Sequence, residues 1–319
     1  MKMNSFGKRS GAFAVGLSGA MLLVSCGGGA PIDRFVPTRL VAIGDESSVI
    51  NGDGSKYTVN ALVAGTTTLD CKSNPIWVQA LASAYGLQFV ECPNTPGAAI
   101  TAERFAVAGA KVADIAGQVT AVGAFAGKDL VTVLAGANDV FEQYALLDTT
   151  VNGQVQTAEV ISAKLEALGE SLALQVNRIA DAGGKVLIST VPDLGLTPFA
   201  LAEEALVPGR AALLTQLTKR FNAKLRIKIT NDGRRIGLLL TDELVLAVVR
   251  NPTGNALVNV TSAVCDVALA PLVTACTTAT LITAGDATTY LWANNKLLGV
   301  TGNRLLANLA LSRASNNPF

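Results

Sequence analysis

The chain has 319 residues, 25 Lys+Arg against 24 Asp+Glu, and no histidine. Half of it is apolar and 15% is charged, which supplies a sizeable core and excludes a disordered chain. The missing imidazole excludes every mechanism that uses histidine as base, proton shuttle or metal ligand. The balanced charge excludes the basic footprint of a nucleic-acid binder, so no nucleic-acid partner is expected.

Residues 1–25 read as a targeting segment. Lys2, Lys8 and Arg9 give a positive start, and Ala12 to Val24 is a short apolar run. Thirteen helical residues span about 20 Å, too little for a bilayer core of ~30 Å, so a secretory signal is read in place of a membrane span. The run ends Leu23-Val24-Ser25-Cys26 and continues into Gly27-Gly28-Gly29. This junction resembles the bacterial lipobox. The resemblance implies cleavage before Cys26, a diacylglycerol on its sulfur, and a membrane as partner through that anchor. Gly27 in place of an aspartate implies sorting to the outer membrane. Residues 26–37 would then be the lipidated cysteine and its tether. Loss of Lys2, Lys8 and Arg9 takes the 25 basic groups to 22 against 24 acidic ones, a net charge of about −2. Four cysteines remain, an even number suited to an oxidising compartment. Four allow three pairings; the simplest is local, Cys71 with Cys92 and Cys265 with Cys276, with buried free thiols as the alternative. No CxxC spacing occurs, so no metal site is expected.

From residue 38 to 319 neither a linker nor a repeat interrupts the chain, and a single domain is expected. Arg39 to Ile43 reads as a short apolar strand stopped at Gly44. Asn51-Gly52-Asp53-Gly54 is a turn between Val49-Ile50 and Tyr57-Thr58-Val59; it carries too few carboxylates for a calcium loop. Pro75 to Tyr85 has helical spacing. Phe105 to Val107 reads as a strand, Val112 to Phe125 as a helix, and Leu130 to Leu134 as a buried strand. A long helix is expected from Thr157 to Ala182, then a strand at Lys185 to Ser189. Arg210 to Ile229 reads as a helix whose lysines and arginines form a solvated face. Arg235 to Leu240 is a further strand, and Gly302 to Ala314 the last helix. Strands alternating with helices predict an α/β domain, a mostly parallel sheet covered on both faces. In such sheets ligands sit beyond the carboxyl ends of the strands.

Those strand ends carry a resemblance. Val41-Ala42-Ile43-Gly44-Asp45, Phe105-Ala106-Val107-Ala108-Gly109-Ala110 and Val133-Leu134-Ala135-Gly136-Ala137-Asn138-Asp139 resemble, in order, the first three blocks of the SGNH/GDSL hydrolase family. Tyr290-Leu291-Trp292-Ala293 and Arg304-Leu305-Leu306-Ala307 resemble the surroundings of its D-x-x-H block. The resemblance implies the three-layer, flavodoxin-like α/β fold of that family with a mostly parallel central sheet. It also implies an ester hydrolase's parts: a serine, a histidine that takes its proton, an acid, and oxyanion donors. Carried over position by position, the serine's place holds Glu46, the acid's Asn294 and the histidine's Leu297. The donors are kept as Gly109 and Asn138.

The expectation is therefore an envelope lipoprotein of this fold that lacks the triad and acts by binding or structurally. Its cleft would take an acyl chain, an acetylated sugar or the end of an envelope polymer, with no cofactor. One alternative is an ester hydrolase with an unusual nucleophile, Ser47 or Ser48, in which Lys296 is the only nearby base. A second is a carbohydrate-binding module that uses the cleft rim. For Glu46 itself the expectation is geometric. A carboxylate only accepts hydrogen bonds, so it should turn onto Gly109 and Asn138 and plug the hole from within.

Overall fold

The computed structural model describes residues 35–93 and 95–316. The Cys26 junction lies outside the described residues. Five strands make one all-parallel sheet: β1 (Arg39–Gly44), β2 (Ala102–Arg104), β3 (Asp129–Leu134), β4 (Lys185–Ser189) and β5 (Ile236–Leu239), in the spatial order β2-β1-β3-β4-β5. Eight helices surround it: α1 (Trp77–Ala84), α2 (Val112–Val122), α3 (Ala137–Ala145), α4 (Ala158–Asp181), α5 (Pro198–Leu206), α6 (Arg210–Lys228), α7 (Thr241–Arg250) and α8 (Val300–Asn316). This order is the flavodoxin-like one, and it reverses between β1 and β3.

Both faces of the sheet are covered, which is why its strands are apolar at nearly every position. Successive side chains of β1 alternate between two cores. Val41 and Ile43 face a cluster that includes Ile115 of α2, Leu165 and Leu172 of α4, and Phe221 of α6. Leu40 and Ala42 face a second cluster with Trp77 and Leu81 of α1 and Leu306 and Ala310 of α8. Phe35 packs on the rim of that second cluster. On the first face α4 and α6 lie close together. Gly169 makes this possible, because a Cβ there would run into the carbonyl oxygen of Phe221.

Four expectations need correction. The segment Phe105–Val107 is not a strand. The strand is β2, Ala102–Arg104, and the next three residues hang on the end of β1: Phe105 N–H and Ala106 N–H donate to the Ala42 carbonyl, and Val107 N–H to that of Gly44. That pairing buries Ala106 but leaves Val107 exposed, so the apolar letters do not continue the sheet as a strand. The helix expected to reach Phe125 ends at Val122, where Gly123 adopts a positive φ. The basic residues of α6 are not simply solvated. Arg220 and Lys224 pair with Glu166, Lys228 with Glu170, and Arg226 with Asp242 and Glu243. Finally, α3, α5 and α7 are helices where the sequence suggested only connections.

Both local disulfides are present, Cys71–Cys92 and Cys265–Cys276, each with Cα atoms 5.8 Å apart. The second braces the segment from Asn251 to Gly299, which hydrogen-bonds onto β1's following loops at Asn60 and carries the chain to Asn294 and Leu297.

Candidate active site

The site begins with how β1 ends. Gly44 has φ +136°, and a Cβ on it would collide with the carbonyl oxygen of Leu134 on β3. Only glycine allows that approach. Buried Gln118 of α2 clamps the same peptide from the side: its Oε1 accepts from Gly44 N–H at 2.8 Å and its Nε2 donates to Gly44 O at 3.0 Å. The next residue, Asp45, is buried. Its N–H donates to Leu134 O at 3.0 Å, and its Oδ1 accepts from Ser47 N–H at 3.0 Å. This cap turns residues Glu46–Ser48 into one short 3₁₀ turn. Burial, together with the neighbouring Glu46 charge, pushes the Asp45 carboxyl up to about 8, against hydrogen bonds from Ser47 that pull it down. Its second oxygen is buried without a partner among the described residues.

That turn aims Glu46 across the ends of three strands. Its Oε2 accepts from Gly109 N–H at 2.9 Å and from Asn138 Nδ2 at 2.9 Å. The Asn138 amide also donates to Ala110 O at 3.1 Å, which fixes its rotamer. Gly109 follows β2, Asn138 opens α3 after β3, and Glu46 follows β1. The three meet at the point where the strand order reverses, the expected place for a site in an open parallel sheet. The contact anticipated for Glu46 is thus made. No cation pairs with Glu46 among the described residues, and Lys296 does not serve that purpose. The Lys296 ammonium instead lies over the rings of Phe141 and Phe199, 4.3 and 5.0 Å from their centroids.

Asn294 and Leu297 do not approach the Glu46 carboxylate through any hydrogen bond. Asn294 Oδ1 accepts from the backbone N–H groups of Lys296 and Leu297 at 2.9 and 2.8 Å, holding a local turn. Leu297 faces a cavity of about 30 Å³ that it shares with Ser47, Tyr57, Trp77 and Lys296. Ser47 lines that cavity, while the Gly109 and Asn138 donors are engaged by Glu46. Ser48 is fully buried and its hydroxyl has no partner among the described residues. Asp139 ties two helix starts together: it lies in the first turn of α3, and its carboxylate accepts from Val112 N–H at 3.0 Å. Burial pushes it up to about 6.

Sequence reasoning missed Gln118, Tyr57 and Phe199. Gln118 lies on a helix that reads as amphipathic, where a glutamine carries no motif. Only the need to satisfy both polar groups of a buried glycine peptide marks it, and that need appears with the fold.

A family model described as GDSL-like lipase/acylhydrolase matches residues 40–235. No curated protein matches the chain. Among solved structures, the acetylxylan esterase Axe2 from Geobacillus stearothermophilus aligns over 88% of this chain and 96% of its own, with 14% identity and a TM-score of 0.45. The acetyl xylan esterase AlAXEase aligns over 86% and 98%, with 12% identity and a TM-score of 0.43. The alpha/beta hydrolase enzyme LAE5, from the metagenome of Lake Arreo, Spain, aligns over 87% and 94%, with 15% identity and a TM-score of 0.40. The matched span contains every strand of the sheet up to β4 and all three segments that converge on Glu46, and by that match the chain belongs to the GDSL-like lipase/acylhydrolase family.

Proposed function

We propose that this chain is an exported, lipid-anchored member of the family that no longer hydrolyses esters and acts by binding or as a structural element of the envelope. One observation carries the reading: the residue in the nucleophile's place is Glu46, and its carboxylate takes up both donors that would hold an oxyanion. A substrate carbonyl oxygen would have to displace a charged acceptor from those donors, and charge-assisted bonds are the stronger kind. The rest of the chemistry is missing as well. The sequence has no histidine, Asn294 is spent on a backbone turn, and Leu297 offers neither a base nor a hydrogen bond.

Its ligand would be an acyl chain, an acetylated sugar or an envelope polymer end. Purified protein assayed with p-nitrophenyl acetate and butyrate tests the loss of hydrolysis. No turnover above buffer is expected. Turnover that disappears in Ser47→Ala would defeat this reading in favour of a serine–lysine hydrolase, the second reading, which rests on Ser47 and Lys296 lining one cavity. Against that second reading stands the seat of Lys296. Its ammonium is engaged by the faces of Phe141 and Phe199 in cation–π contacts. The anchor has its own test. Mass spectrometry of membrane-derived protein should find acyl chains on an N-terminal Cys26, and an unmodified N-terminus elsewhere would sink that part.

A further inference from the structure

The Cys265–Cys276 disulfide closes a loop whose outer residues are apolar. Val267, Leu269 and Leu272 are 74%, 60% and 70% exposed, and Ala268 and Pro271 between them are exposed as well. The loop is held from beneath, where Ala270 is buried with Cys265 and Cys276 in a cluster that also contains Val59. Apolar residues scattered singly over a surface need no explanation, but three large ones within one short braced loop form a patch that does. From Val267 to Gly285 the chain carries no charged side chain. The amide donors of the tip are spent within the loop. Asp266 accepts at its carbonyl from Leu269 N–H and Ala270 N–H, at 3.1 and 2.8 Å, and at its carboxylate from Ala268 N–H at 2.9 Å. Pro271 has no N–H to satisfy.

Such a tip suits a medium without water. A segment at the edge of a hydrocarbon phase must satisfy its own backbone donors and bring no charge with it. A protein partner is recognised by hydrogen bonds as well as by apolar contact, and residues 268–271 have no free amide donor or charged group to offer one. The length of chain ahead of the domain points the same way. Phe35 stands nine residues after Cys26, and a stretch of that length reaches about 30 Å at most. A domain anchored through Cys26 is therefore held near a bilayer surface. We propose that Val267, Leu269 and Leu272 form a second membrane contact, dipping into the boundary between headgroups and acyl chains of the bilayer that carries the anchor. The contact rests on the reading that Cys26 is acylated. A lipid anchor alone leaves a domain free to turn, whereas a second contact fixes which face meets the bilayer. The disulfide presents the tip already ordered, so little conformational freedom is lost when it inserts.

The full chain, extracted from membranes, is reconstituted on phosphatidylcholine vesicles and floated to isolate the bound fraction. Trp77 and Trp292 are both buried, so they give a background that lipid does not reach. Leu269→Trp adds one indole at the tip. In vesicles whose upper acyl carbons carry bromine, its emission should fall by about half relative to unbrominated vesicles, as for a group about 5–10 Å into the boundary region. Val267→Asp and Leu272→Asp, added to Leu269→Trp, should abolish that quenching, because a carboxylate is excluded from such a depth. Both positions are more than half exposed, so the fold is kept. Equal emission in the two kinds of vesicle, or quenching that survives both aspartates, overturns the contact. Equal emission that shifts to the blue as protein per vesicle rises overturns it in favour of a second copy on the tip. Mass spectrometry of Cys26 in the same sample separates the two claims. An acylated, vesicle-bound chain with an unquenched indole defeats the loop contact alone. An unacylated chain that still floats and is quenched defeats the anchor alone, and one that does not float defeats both.

Discussion

The interaction between Glu46 and Asn138 can be measured in isolation by a double-mutant cycle of Glu46→Ala and Asn138→Ala. Glu46 Oε2 takes two donors at 2.9 Å, one from Gly109 and one from Asn138. Hydrogen bonds to a charged group contribute about 1.5–3 kcal/mol each. Glu46 is half-buried and Gly109 is exposed, so water screens both bonds to about 1 kcal/mol each. Glu46→Ala should then cost about 2 kcal/mol. Removal of Asn138 leaves Gly109 still bonded to the same oxygen, so the coupling between the two side chains should be about 1 kcal/mol. The bond from Asn138 to Ala110 O is lost in both arms and cancels. Urea unfolding of the disulfide-intact domain reads this out. With a slope of about 2–3 kcal/mol/M for a domain of this size, the midpoint of Glu46→Ala falls by about 0.7–1 M at unchanged slope. A coupling below about 0.3 kcal/mol, or a Glu46→Ala protein as stable as the parent, would show that the carboxylate does not hold the hole shut.

Three further outcomes are expected. The triple variant Glu46→Ser, Asn294→Asp, Leu297→His should gain measurable hydrolysis of p-nitrophenyl acetate, because Gly109 and Asn138 are still in place; an inert variant would show that the cleft has diverged beyond those positions. Asp45 is held near 8 when folded and near ~3.9 when unfolded, so the folded state binds the extra proton between those values. Stability should therefore decline as pH rises from about 4 to 8, by up to about 1.4 kcal/mol per unit, and Asp45→Asn should flatten that decline in urea titrations; an unchanged slope would mean that Asp45 ionises in the fold. Removal of Cys71–Cys92, whose sequence separation is 21, should cost about 3 kcal/mol in the chain-entropy picture, and Cys265–Cys276, with a separation of 11, slightly less; equal stability after Cys71→Ala/Cys92→Ala would refute this.

How much of this was legible before the fold was known differs from one residue to the next. β1, β3 and β4 were legible because both of their faces are buried, which leaves apolar runs at Leu40–Ile43, Leu130–Leu134 (broken only by Thr132) and Val186–Ile188. β2 was misplaced because its letters, Ala102-Glu103-Arg104, belong to an edge strand that pairs only with β1, while the apolar Phe105-Ala106-Val107 beyond it looks more like a strand. The short helices α5 and α7 were missed because α5 has little to bury and leaves Leu201 and Leu206 exposed, while α7 follows its strand directly, without a glycine or a loop to mark its start. At the site, the meeting of Glu46 with Gly109 and Asn138 followed from the family resemblance, which placed the three positions, together with donor and acceptor chemistry. The seat of Lys296 did not. Its neighbours Asn294 and Asn295 suggest a solvated turn, and only the packing of α3 against α5 brings Phe141 and Phe199 beneath the ammonium.

The position of β1 in the sheet bears on how the chain reaches this fold. β1 is the first strand to leave the ribosome, yet it lies between two strands that come later. Leu40 pairs with Ala102 on one side and with Leu130 on the other. Until about residue 104 has emerged, a six-residue strand with five buried positions has two open edges, and until about residue 134 one of them stays open. The sheet is not finished until β5 arrives at Ile236. The nascent protein therefore passes through an interval in which an edge of its most apolar strand is unpaired, the kind of state that aggregates when it persists.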